Sequence, residues 1–164
     1  MNVTVVRIDD RLIHGQIVTK WIKEAQAKKI LVVDDIAAKD KTAQMILKFA
    51  VPSGITLEVL SKEDAVKKIE NDKSDTKTLM ILRNPKEANE FVELGYKPET
   101  IIIGNISNSK SEVGRTKILD YIFVEPADVE AIKSLAEKGI KLEVKAIPEE
   151  KPKDPLELFA KMFK

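Results

Sequence analysis

The chain has 164 residues, 28 of them basic and 27 acidic, for a formal net charge of +1. That length predicts one domain over 1–164, and the charge balance argues against nucleic acid as a partner, which would call for a basic excess gathered on one face. Apolar residues make up 43%, enough for a core and too many for disorder, while the absence of cysteine excludes disulfides, thiolate catalysis and cysteine-based zinc sites and fits a reducing compartment.

The elements alternate along the chain. Val3–Ile8 predicts a first strand, followed by a helix from about Gln16 to Gln26. Ile30–Asp34 predicts a second strand, with Asp34-Asp35 as a helix-opening cap. Ile55–Leu60 predicts a third, and Ser61-Lys62-Glu63-Asp64 opens a helix with serine as N-cap and acids in the first turn. Thr78–Leu82 precedes Asn84-Pro85-Lys86-Glu87, where Pro85 suits the first helical position, and Gly95 reads as the stop. Thr100–Gly104, Ile118–Val124 and Ile140–Val144 are the remaining strand-like runs, with Gly139 as another helix stop. Pro148–Pro155 reads as a tether into a C-terminal helix over 156–163, with Leu156, Phe159, Met162 and Phe163 on one side. Several runs are apolar at consecutive positions, as in strands covered on both faces. The expected fold is therefore α/β: a doubly wound, mostly parallel sheet of six or seven strands with helices on both faces. No apolar run, Ile101–Ile103 included, approaches the ~20 residues that cross a bilayer. MNVTVVRIDD has no charged-then-apolar leader, so a cytoplasmic protein is expected.

In such sheets ligands bind beyond the carboxyl ends of the strands, which directs attention to Asp9–Gln16, to Arg83 and Asn84, and to Gly104–Arg115. The single histidine, His14, lies in the first of these. Imidazole is substantially neutral near neutral pH and can act as a nucleophile. Asp9 and Asp10 could accept its other ring N–H, and Arg11 could face a phosphoryl group with a fork matched to phosphate. Gly15 permits unusual backbone angles, and from Gln16 the helix start offers N–H groups to an anion. The alternative at this point is a partly buried turn histidine beside a surface Asp9–Arg11 ion pair. All four arginines, Arg7, Arg11, Arg83 and Arg115, fall at or just beyond strand carboxyl ends, a pattern that suits a phosphate-handling rim.

Other chemistries drop out. The six glycines form neither a dinucleotide fingerprint nor a P-loop, so no nucleotide cofactor is expected. One histidine without cysteine makes no transition-metal site. A phosphorylated receiver domain would need an aspartate after the third strand and a lysine after the fifth; Leu60-Ser61-Lys62 and Gly104-Asn105 stand there.

The segment Arg7-Ile8-Asp9-Asp10-Arg11-Leu12-Ile13-His14-Gly15-Gln16-Ile17 resembles the active-site segment of the IIB components of the mannose/fructose/sorbose family of the bacterial phosphotransferase system. The resemblance continues through Val33–Ala37, Ala50-Val51-Pro52, Ile103–Asn108 and Gly114–Lys117. It implies a protein-N(pi)-phosphohistidine–sugar phosphotransferase. A IIA partner would pass its phosphoryl group to His14, and His14 would pass it to a sugar presented by the membrane components IIC and IID, at the inner face of the membrane. Asp9 and Asp10 would orient or polarise the imidazole, and Arg11 would stabilise the phosphoryl group or help dock partners. Arg7, Gly15, Gln16, Arg83, Gly104 and Asn105 complete the expected binding set. No IIA domain is attached in this chain, so phosphate is expected in trans, and self-association is left open. The reading from a different class is a non-catalytic phosphate- or anion-binding regulatory module using the same loop.

Overall fold

A computed structural model of the chain describes residues 1–108 and 114–162. Six parallel strands form one sheet in the order β3-β2-β4-β1-β5-β8: β1 Asn2–Asp9, β2 Lys29–Val33, β3 Thr56–Leu60, β4 Lys77–Leu82, β5 Thr100–Asn105 and β8 Lys141–Val144. Their consecutive apolar residues are buried from both sides. In β2, Ile30, Leu31, Val32 and Val33 have no exposed surface. The helices α1 Gly15–Ala25, α2 Asp35–Ala38 and α3 Lys41–Ala50 cover one face, where Val18, Trp21, Ala37 and Leu47 meet Ile30, Val32, Leu79 and Ile81. The other face carries α4 Lys62–Asn71, α5 Pro85–Glu93, α6 Pro126–Glu137 and α7 Pro155–Met162, through Ala65, Phe91, Ile132, Leu135 and Phe159. The doubly wound architecture expected from the sequence is thus present, with six strands in the main sheet. Among the described residues no helix is long and apolar enough to cross a membrane.

The caps follow the sequence signals. Ser61 and Asn84 accept from the backbone N–H of Asp64 and Glu87, at 3.1 and 2.9 Å. Asp34 caps α2 through the Ala37 N–H at 2.9 Å. One expectation fails. The run Ile118–Val124 is not a single strand but a hairpin, β6 Thr116–Leu119 and β7 Ile122–Val124, paired antiparallel outside the main sheet. The exposed Asp120, paired with Lys117 at 2.9 Å, marks the turn, and a strand crossing the turn would have buried that carboxylate. Ile122 and Val124 are buried, and β7 is tied to the end of β5 by a bridge between Ile106 and Ile122. The stretch read as a tether is fastened: Val144 and Lys153 exchange backbone hydrogen bonds, and Glu150 accepts from Tyr121 Oη and the Ala146 N–H. Phe163 and the Met162 side chain, both assigned to the apolar side of the last helix, lie outside the described residues.

The strand order puts the binding crevice at a defined place. β1 has β4 on one side and β5 on the other. The chain leaves β1 for α1 on one face, whereas the connection from β5 leads to α6 on the opposite face. Loops that part in this way open a crevice at the strand carboxyl ends. The Asp9–His14 loop lies on it.

Candidate functional site

The site is built around Asp9, the last residue of β1. Its carboxylate is 2% exposed and receives four N–H groups: Arg7 Nη2 at 3.1 Å, and the Arg11 backbone N–H, Nε and Nη2 at 2.9, 3.0 and 3.0 Å. Arg7 lies beneath, itself 2% exposed. Its guanidinium stacks 5.0 Å from the centre of the Trp21 ring and crosses β5 at Gly104. A methyl group there would fall inside the guanidinium. The pairing of β1 with β5 skips Gly104, passing from Ile8–Ile103 to Asp9–Asn105. Such a bulge at a strand end redirects side chains. Burial lowers the Arg7 pKa to about 10, against the opposing pull of Asp9. Trp21 is anchored by its own indole N–H to the Ala146 carbonyl, 2.9 Å.

Between Asp9 and His14 the chain makes a tight turn, closed by the Leu12 N–H on the Asp9 carbonyl at 3.0 Å. Leu12 takes the left-handed conformation, φ 61°, which costs an L-residue roughly 1–2 kcal/mol. Burial of Leu12 and Ile13 against the α1 face holds the turn in this shape. His14 then emerges exposed, as the N-cap residue of α1. Its backbone is extended, its side chain caps nothing, and the first turn contains no acid. Gly15 follows at φ 43°. The N–H groups of the first turn, which have no partner within a helix, are therefore uncapped beside the imidazole. The reading of a partly buried turn histidine beside a surface ion pair does not hold: the histidine is exposed and the aspartate buried.

The remaining expected residues divide. Asp10 accepts from Asn105 Nδ2 at 2.9 Å and from the N–H and Oγ of Ser107 at 2.7 and 2.8 Å, with Arg115 Nη1 at 3.7 Å. Arg115 also faces Asp128 at 3.7 Å, joining the loop after β5 to the start of α6. The expectation that Asp9 and Asp10 accept from the imidazole is corrected: among the described residues neither is bonded to His14. An ionised carboxylate has about four acceptor sites; those of Asp9 are filled by arginine, and Asp10 is held by the β5 loop. Arg83 gives Nε and Nη2 to Asp34 at 3.0 and 2.9 Å, a bidentate pair that commits its fork and raises its pKa. Gly104 makes room for Arg7, and Asn105 steadies Asp10. Gln16 is exposed in the first turn of α1. Sequence reasoning missed Ser107 and Trp21. The lone tryptophan, seven residues after His14 and so on the same helical face, was the available signal.

The model of the family described as "PTS system sorbose subfamily IIB component" matches residues 3–164. The chain belongs to this IIB family. It is 31% identical over 165 residues to the PTS system fructose-specific EIIB component of Bacillus subtilis (strain 168), covering 100% of this chain and 99% of that one. It is 30% identical to the sorbose-specific EIIB component of Lacticaseibacillus casei, over 99% and 98% of the two chains. The mannose-specific EIIAB component of Escherichia coli (strain K12) is 31% identical, across 100% of this chain and 50% of that protein. Among solved structures, the IIBSor domain of the sorbose permease from Klebsiella pneumoniae superposes with a TM-score of 0.89 at 29% identity, covering 98% of each chain. In this IIB chain the Asp9–His14 loop therefore stands on the family's α/β fold.

Proposed function

We propose that this IIB chain is a phosphoryl carrier: it takes a phosphoryl group from the phosphohistidine of a IIA partner onto His14 and passes it to a sugar brought by the membrane components IIC and IID, at the inner face of the membrane. The observation that carries the reading is the position of His14, the only imidazole of the chain, exposed at the uncapped start of α1, three residues after Arg11 in the same loop. A bare ring nitrogen of His14 attacks phosphorus, the new P–N bond forms, and the donor's P–N bond breaks to release its imidazole. In the second step a sugar hydroxyl attacks the same phosphorus, the bond to His14 breaks, and the hydroxyl proton is released.

Features of the loop and of α1 support both steps. The first-turn N–H groups of α1 face the charge that the phosphoryl group brings. Arg11 uses Nε and one edge of Nη2 on Asp9, which leaves its outer edge for phosphoryl oxygens. Asp9 acts by holding Arg11, and Asp10 by holding the loop after β5. The exposed loop suits a carrier, because a deeply enclosed phosphoryl group could not be handed on to a second partner.

The test is the chemistry of the bound group. Phosphate acquired from a phosphorylated IIA protein should be labile in acid and stable in alkali, and membranes bearing IIC and IID with their sugar should remove it. An acid-stable label, or a label that no sugar discharges, would contradict the relay.

A further inference from the structure

Arg7 makes no hydrogen bond to His14 and has almost no contact with solvent, so the steps above leave it without a task. We propose that Arg7 is a positioning residue that sets the charge of the phosphoryl site: by neutralising Asp9 from beneath, it leaves the charge of Arg11 free for the phosphoryl group. The inference deepens the carrier reading and rests on it.

Asp9 contributes one negative charge and lies between two guanidinium groups, Arg7 at 3.1 Å and Arg11 at 3.0 Å. The three together carry a single positive charge. Only Arg11 reaches solvent, with its side chain 29% exposed against 3% for Arg7 and 2% for Asp9. The excess charge is thus displayed on the solvent side of the loop that carries His14, and the proposal has it meet the phosphoryl group there. Without Arg7, Asp9 and Arg11 would form a neutral pair whose field on a neighbouring anion largely cancels. The nearby acids do not undo this arrangement. Asp10 is turned to Asn105, Ser107 and Arg115, and Asp128 faces Arg115. Glu150, within electrostatic reach of Arg7, accepts from Tyr121 and Ala146.

The housing of Arg7 is specific to an arginine. Gly104 leaves the volume, Trp21 supplies a π face, and the Lys145 carbonyl accepts Nη1 at 3.5 Å. Burial of a charge is costly, and a buried ion pair often adds nothing to stability over apolar residues of the same volume. Stability alone therefore does not explain why a charged side chain fills this space. The charge that it lends to Arg11 does.

The test compares wild type, Arg7→Met, Arg7→Lys and the double variant Arg7→Met/Asp9→Asn. Binding of inorganic phosphate is followed through the His14 ring resonances, and phosphoryl acceptance from phosphorylated IIA is measured with kcat and KM separated. Removal of the buried charge should weaken phosphate binding about tenfold or more and lower kcat with it. Arg7→Lys, which keeps the charge, should stay within a few-fold of wild type. The double variant removes one charge of each sign and restores the net +1, and the amide oxygen of asparagine can still accept from the Arg11 backbone N–H and Nε as Asp9 Oδ1 does, so it should recover most of what Arg7→Met loses. A role in packing alone predicts the reverse, because Asp9→Asn breaks further bonds. Arg7→Met equal to wild type, or a double variant no better than Arg7→Met, would overturn the proposal. Should Arg7→Met fail to fold, the double variant decides: near-wild-type phosphate affinity supports the proposal and a tenfold loss overturns it. The phosphate titration reads the charge effect even in a chain that accepts no phosphoryl group, so failure of the carrier reading, a wild type left unlabelled by IIA, shows separately.

Discussion

Asp9 and Asp10 are adjacent in sequence and similar in chemistry, yet their surroundings assign them different work. Asp9 is shut in between two arginines, whereas Asp10 lies at the edge of the crevice with its side chain 14% exposed. Replacing Asp9 by asparagine leaves the buried Arg7 without its countercharge, and loss of one partner from a buried pair typically costs about 3–5 kcal/mol. Asp10→Asn keeps a neutral acceptor for Ser107 and Asn105 and should cost on the order of 1 kcal/mol. Denaturant unfolding of the two variants should therefore show a clearly larger loss for Asp9→Asn. Equal losses would remove Asp9 from the centre of the site.

At the scale of elements, the legible features were those set by neighbouring residues. The caps of α4 and α5 were readable because Ser61 and Asn84 bond N–H groups only three residues ahead. Ser61→Ala should accordingly lower stability by about 1 kcal/mol in urea unfolding while leaving phosphoryl acceptance unchanged; a slowed transfer would mean that α4 reaches the site. The strands of the sheet were readable because both faces are covered and their apolar residues run consecutively. The β6–β7 hairpin was not, since Ile118–Val124 has the composition of one strand and the turn at Asp120 shows only in the antiparallel pairing of Lys117 with Phe123. The site divides in the same way. His14 and its arginines stand close together in the sequence, and their place after β1 was visible. That Asp9 has no lone pair left for the imidazole depends on how Arg7 and Arg11 fold back on it. That Asp10 belongs to the loop after β5 depends on Ser107, 97 residues away.

At the scale of the whole molecule, the crevice between the β1 and β5 connections displays the chain's one imidazole with a small charged surround. Selection among sugars needs a largely enclosed pocket with several convergent polar groups, and His14 is exposed instead. Calorimetric titration of free hexoses should give no heat beyond dilution at millimolar concentrations; saturable binding of one hexose would place selectivity in this subunit. The central claim is that His14 carries the phosphoryl group, and the most direct measurement is the intact mass of the chain after incubation with a phosphorylated IIA protein. The wild type should gain the mass of one phosphoryl group and His14→Ala none, with both proteins folded. A His14→Ala chain that gains the same mass, or a wild type that gains none, would contradict it.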